Sequence, residues 1–318
     1  MTARLERVEW RAVGTTCIAG VTSGPSDGRR ARAALAAARA EVEACEAELS
    51  RFRPESDLMR LNGAGGAWTA VGPRLLDTLR LALRAREDTG GRFDPTVLPA
   101  LVAAGYDRSF ELLEERPAAS PGGWRAGAAI ELDEPAGCVR LDPGASVDLG
   151  GIGKGYAATR ALDAMFEAWP SLPGGLVDLG GDIAVRGATP EGGPWRIAVA
   201  DPLRPGETAG MLLLGSGGVA TSGRDRRRFG PNASLHHLID PATGRPAEPG
   251  PLSVTVVATG AAEAEAHATA LAISGPETAA AHVAAHPRIS ALYIPDRGDV
   301  LPLGNPPLAQ TRFLVSVA

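Results

Sequence analysis

Lysine is almost missing from this chain. Of its 32 basic residues, 31 are arginine and one, Lys154, is lysine. So uniform a replacement reads as codon bias, which makes most of the arginines uninformative and the surviving lysine informative. Cysteine is also scarce. Cys17, Cys45 and Cys138 are an odd number with no CxxC pair, which argues against a disulfide framework or a thiolate zinc site and suits a reducing compartment. Aromatic residues are only 4% of the chain, so Ala, Leu and Val must fill the core that a 44% hydrophobic composition allows. The formal charge is −5 and no basic domain stands out, so no nucleic-acid partner is expected. No run of apolar residues is long enough for a transmembrane segment. The opening "MTARLERVEWRAVGTTC" carries neither a signal-peptide core nor a lipobox, so a cytoplasmic location, or one at a cytoplasmic membrane face, is expected.

The 318 residues allow one large domain or two ordinary ones, and the pattern reads as one domain over 1–318. "RRARAALAAARAEVEACEAELSRF" is a helix without Gly or Pro. "RPESDLMRLN" reads as a polar connector with a capping Ser56, and "GPRLLDTLRLALRAREDTGG" as a second helix between Pro73 and Gly90-Gly91. "KGYAATRALDAMFEAW" is a third helix. Strand-like runs follow at "GLVDLGGDIAVRG", "WRIAVAD", "GMLLLGSGGVATSG" and "LSVTVVA", and "ISALYIP" and "TRFLVSV" close the chain. Strands and helices do not alternate regularly, which excludes a doubly wound parallel sheet. The expected class is α+β, with mixed or antiparallel sheets flanked by helices.

Lys154 sits in "VDLGGIGKGYA". The stretch fails the P-loop pattern, because Asp148 and Gly155 stand where a glycine and a hydroxyl residue are needed, and it fails the dinucleotide pattern because its glycines are evenly spaced. A strand ending at Asp148, a glycine turn and a helix starting near Lys154 would still place backbone N–H groups beside an ammonium, a site for an anion. The same residues read equally as a tight turn with a surface lysine. Three further segments have similarly plain readings when taken alone. "SLHHLIDPATGRPA" puts two histidines before an Asp-Pro turn. "VATSGRDRRRFG" holds Arg224 and Arg226 to Arg228 in one charge run. "AEAEAHATALAISG" places Glu265 and Thr269 one helical turn apart, where a carboxylate and a hydroxyl could share a hard cation. The register of Glu263 with His267 is the alternative and suits a softer metal.

Together and in this order, "FRPESDLMRLN", "GRFDPTVLPAL", "DLGGIGKGYA", "LVDLGGDI", "ATSGRDRRRF" and "HHLIDPATGRP", with the helix at 261–275, resemble the ApbE family of FAD:protein FMN transferases. The resemblance implies cleavage of the FAD pyrophosphate with a divalent metal, usually Mg²⁺. FMN is attached to a Thr or Ser hydroxyl in the flavinylation motif of an acceptor protein, and AMP is released. It implies that Asp148 and Lys154 lie at the flavin nucleotide and that Phe93, Asp94 and Pro95 border FAD. Val13, Phe52, Ser222, Gly223 and Ile239 are implied in the flavin pocket, with His237 activating the accepting hydroxyl. The metal would be held by the Gly151 carbonyl, Glu265 and Thr269. Two positions depart from the family pattern: Val13 replaces the usual Met, and Glu265 replaces Asp and is one methylene longer. The alternatives are an FAD pyrophosphatase, which uses the same metal but no acceptor, and a non-catalytic FAD-binding protein.

Overall fold

In a computed structural model, residues 2–113, 118, 119, 122, 124–224, 228–230, 232, 235–248 and 250–311 are described. Eight strands form the main sheet: β1 (Arg4–Ala12), β2 (Thr15–Ser23), β3 (Gly174–Leu179), β4 (Ile183–Gly187), β5 (Ser216–Gly223), β6 (Ser253–Ala258), β7 (Ser290–Ile294) and β8 (Leu301–Leu303). They lie side by side in chain order. Every neighbouring pair is antiparallel, the antiparallel alternative within the expected α+β class. Among the described residues, seven α-helices are inserted between strands: α1 (Gly28–Leu49), α2 (Asp57–Asn62), α3 (Pro73–Asp88), α4 (Leu98–Ala103), α5 (Gly153–Ala168), α6 (Ala261–Ala272) and α7 (Pro276–Ala285).

The alternation of side chains along each strand decides what covers the sheet. Ala184, Ala220, Ala291 and Tyr293 point to the helical face. Their sequence neighbours Val185, Val219, Leu292 and Ile294 point the other way, onto a three-stranded sheet of Thr208–Leu214, Trp195–Ala200 and Leu308–Thr311. The helical face is built from small residues. Ala31, Ala34, Leu35, Ala38, Val42 and Cys45 recur at helical spacing along α1 and pack on Ala157, Ala158, Ala161 and Leu162 of α5. This is how a chain poor in aromatics fills its core.

Several elements differ from the sequence expectation. The connector after α1 is partly helical: Ser56 caps α2 by accepting from Met59 N at 3.1 Å. "GMLLLGSGGVATSG" breaks at Gly215 into two strands of different sheets. The terminal strand is described as Leu308–Thr311, and the rest of "TRFLVSV", 312–317, lies outside the described residues. Among the described residues, no helix is long and apolar enough to cross a membrane.

Candidate active site

No strand leads into the glycine turn, contrary to expectation. Instead the Asn62 amide clamps residue 147 as a strand partner would: Nδ2 donates to Val147 O at 2.9 Å and Oδ1 accepts from Val147 N at 2.7 Å. The next residue donates from Asp148 N to Pro95 O at 2.8 Å. Asp148 Oδ1 accepts from Gly150 N at 2.8 Å, and Oδ2 lies 2.7 Å from Arg51 Nε. The turn keeps fewer free amides than the anion-site reading supposed. Ile152 and Gly153 both donate to Leu149 O, and Gly155 N donates to Glu265 Oε2 at 2.7 Å. Gly155 is needed for a plain steric reason. A Cβ there would stand 2.3 Å from Ala261 O, so only glycine lets the start of α5 rest on the start of α6.

That close approach builds a charged pole. Lys154 Nζ donates to Glu265 Oε1 at 2.8 Å and also to Asp182. Asp182 and Glu265 are 3% and 2% exposed, so two carboxylates share one ammonium almost out of water. Burial alone would lower the lysine pKa, but the two carboxylates outweigh it and hold the ammonium charged. Burial raises the pKa of the Glu265 carboxyl, with Asp182 adding repulsion and Lys154 and Gly155 opposing it. Thr269 lies one turn along α6. A Cβ on Gly151 would stand 2.9 Å from Thr269 Oγ1 and 3.2 Å from Phe93, so glycine keeps this corner open. Gly151, Glu265 and Thr269 thus line one cavity, with Gly151 against Thr269. Among the described residues, no group of three or more His, Cys, Asp or Glu side chains could hold a metal. The alternative register is not built. Glu263 accepts from Thr259 Oγ1 at 2.6 Å, and buried His267 hydrogen-bonds His282 at 2.9 Å.

An aromatic group, the second pole, also lines the cavity. The Arg51 guanidinium lies 4.1 Å from the Phe52 ring centre and 4.8 Å from that of Tyr106, and Nη2 donates to Tyr106 O at 3.0 Å. Tyr106 stacks on Phe229 at 5.6 Å and faces His237 at 6.3 Å. The two adjacent histidines face opposite ways. His237 lines the cavity. His236 is buried in structure, with Nδ1 accepting from Leu238 N and Nε2 donating to Ala247 O, and burial lowers its pKa. The turn from β1 to β2 forms another wall. Val13 sits there at φ +46, its N–H donating to Glu46 Oε1 at 2.8 Å.

The two poles share one cavity of about 700 Å³, well within the range of ligand sites. Every site residue implied by the resemblance lines it except Pro95, which is buried behind the wall and supports the glycine turn through its carbonyl. Asp94 lines the cavity, but its carboxylate is occupied by Thr96 N, Thr96 Oγ1 and Gly127 N. Ser222 and Gly223 end β5 at the cavity, and Ile239 follows the histidines. Arg224 is structural, pairing with Asp296 and donating to Pro251 O. Arg228 stands opposite His236 in a short strand pair, while Arg226 and Arg227 lie outside the described residues. Sequence reasoning missed Asp182, Arg51 and Tyr106. Asp182 stands inside a quoted segment, "LVDLGGDI", and Arg51 was hidden among the arginines.

Comparison with known proteins shows what the chain is similar to. The model of the ApbE family matches residues 13–293. The FAD:protein FMN transferase of Klebsiella pneumoniae (strain 342) is 31% identical over 268 residues, 80% of this chain and 74% of that protein. That of Treponema pallidum (strain Nichols) is 31% identical over 308 residues, 90% of this chain and 83% of that protein. Among solved structures, the ApbE protein of Thermotoga maritima has a TM-score of 0.81 at 27% identity, covering 94% of this chain and 97% of that one. The flavin transferase ApbE from Vibrio cholerae has a TM-score of 0.77 at 27% identity, covering 94% and 96%. With the match spanning the glycine turn and six of the eight main-sheet strands in whole or nearly so, the chain belongs to the ApbE family.

Proposed function

We propose that this chain is an FAD:protein FMN transferase, moving FMN from FAD to a Ser or Thr hydroxyl of an acceptor flavoprotein and releasing AMP. The observation that carries the reading is one cavity lined both by a lysine held between two carboxylates and by a histidine beside an aromatic ring. It is supported by relatives named for this reaction.

In this reading the acceptor oxygen attacks the phosphorus of the FMN half, the bond from that phosphorus to the bridging oxygen breaks, and AMP departs with the bond's electrons. His237, with a ring that ordinarily titrates near neutrality, takes the hydroxyl proton. Lys154 offers a compact positive charge to the phosphates. Phe52, Tyr106 and the Val13 turn present flat and apolar walls to the flavin or adenine rings. The walls orient both reactants, a contribution of roughly 7–11 kcal/mol in well-ordered cases. The Gly151 carbonyl, Glu265 and Thr269 fit Mg²⁺, which takes few protein ligands and completes its shell with water and phosphate oxygen. When bound there, Mg²⁺ supplies Lewis-acid neutralisation of phosphate charge.

The reading treats 1–318 as one domain. It also places the protein in the cytoplasm. The test is incubation with FAD and Mg²⁺, with and without a peptide bearing a Ser/Thr flavinylation motif, read for AMP and peptide mass. Acceptor-dependent AMP with a peptide gaining one FMN supports transfer. AMP without labelled peptide turns the assignment to a pyrophosphatase, and bound FAD without AMP turns it to a binding protein.

A further inference from the structure

Glu265 faces two competing demands. The ammonium of Lys154 lies 2.8 Å from its Oε1, and the reading above gives the same carboxylate to a divalent cation. Two positive charges that close repel strongly where little water screens them. A site with only Lys154 and Glu265 would hold its own lysine against the incoming metal.

Asp182 supplies the second acceptor. It directly follows the Gly180-Gly181 turn, where φ is +77 and +102. A Cβ on Gly180 would stand 2.3 Å from Thr15 Oγ1. Gly181 N donates to Asp178 Oδ1 at 2.8 Å and Leu179 N to the Asp182 carbonyl at 3.0 Å, so the backbone under Asp182 is held on both sides. The acceptor is fixed and the donor is flexible: lysine carries one charged nitrogen on a four-carbon stem that moves between partners by a rotamer change. An arginine fork would hold both carboxylates together.

We propose that Asp182 is a positioning residue that takes Lys154 from Glu265 when a divalent cation binds, keeping the ammonium in the site while freeing the carboxylate. This rests on the cation reading and adds a role for a residue outside the ligand set. It also accounts for the single lysine in a chain that otherwise uses arginine.

The test is Mn²⁺ binding to the full chain, without flavin, followed by electron paramagnetic resonance at pH 8. Thermal melts identify folded variants. Asp182→Asn, nearly isosteric, is expected to weaken Mn²⁺ binding roughly tenfold. Lys154→Met is expected to bind Mn²⁺ at least as tightly as the unaltered chain. In the double variant, the Asp182 change is expected to cost less than about twofold relative to Lys154→Met, because no lysine remains to be held. An equal loss in both backgrounds overturns the proposal, since Asp182 would then act on the cation directly. No loss in Asp182→Asn overturns it too. Should Asp182→Asn fail to fold, weaker binding by Lys154→Met alone overturns it. If the unaltered chain binds no Mn²⁺, or Glu265→Gln leaves binding unchanged, the cation reading falls and the proposal with it.

Discussion

Arg51 Nε lies 2.7 Å from Asp148 Oδ2, and both side chains are nearly out of solvent. The pair ties the connector after α1 to the glycine turn. Removing the arginine alone leaves a buried carboxylate without its partner, at a cost of roughly 3–5 kcal/mol, whereas removing both charges costs less. Arg51→Met is therefore expected to be markedly less stable than Arg51→Met/Asp148→Asn in urea denaturation. Additive losses would mean that the two side chains act independently.

The neighbouring histidines are expected to separate function from structure. His237→Ala should slow FMN transfer by about 10²–10⁴, with the FAD dissociation constant changing only a few-fold. His236→Ala removes a buried ring bonded to Leu238 N and Ala247 O, so it should lower stability by roughly 1–3 kcal/mol. Flavin fluorescence titration, transfer rates and thermal melts read all three. A greater transfer loss in folded His236→Ala would assign the chemistry to the other histidine.

A cluster away from the cavity sets an acid limit on stability. Burial pushes the His282 pKa down to about 4, with His267 of α6, His286 at the end of α7, and Arg92 acting in the same direction. Above the ordinary histidine value neither state binds this proton. As pH falls below it, the unfolded chain takes up a proton that the folded chain refuses until about pH 4, so stability drops. The loss approaches about 3 kcal/mol. Urea midpoints should fall between pH 7 and 4.5, and less steeply in His282→Gln. Parallel pH curves would contradict this.

Two glycines of α5 should respond differently to alanine. At Gly155 a new Cβ meets backbone of α6 at 2.3–2.7 Å, whereas at Gly153 the nearest atom is Leu149 Cβ at 3.7 Å. Gly155→Ala should cost roughly 1–3 kcal/mol or more, because two helices must separate. Gly153→Ala should stay within about 1 kcal/mol of the unaltered chain. Equal stability of the two variants would remove the steric account of the α5–α6 contact.

The periodicity of α1, the Pro73 start of α3 and the alternating strands were legible because each is a local pattern. The break at Gly215 was not, because one apolar run served two sheets. The same division holds at the site. Lys154, Glu265, Thr269 and His237 stand in segments that carry the family resemblance, and all four line the cavity. Asp182 was not legible, because its meaning depends on a lysine 28 positions away. Arg51 gave no signal in a chain with 31 arginines. Asn62, standing in for a strand beside Val147, could be seen only in three dimensions.

The central claim is that the Glu265 end of the cavity powers FMN transfer. The most direct measurement is the Mg²⁺ dependence of acceptor-peptide mass gain from FAD, compared for the unaltered chain, Glu265→Gln and Glu263→Gln. The account predicts a one-FMN gain for the unaltered chain and Glu263→Gln, and none for folded Glu265→Gln at the same Mg²⁺. Full labelling by Glu265→Gln, beside an inactive Glu263→Gln, would contradict it.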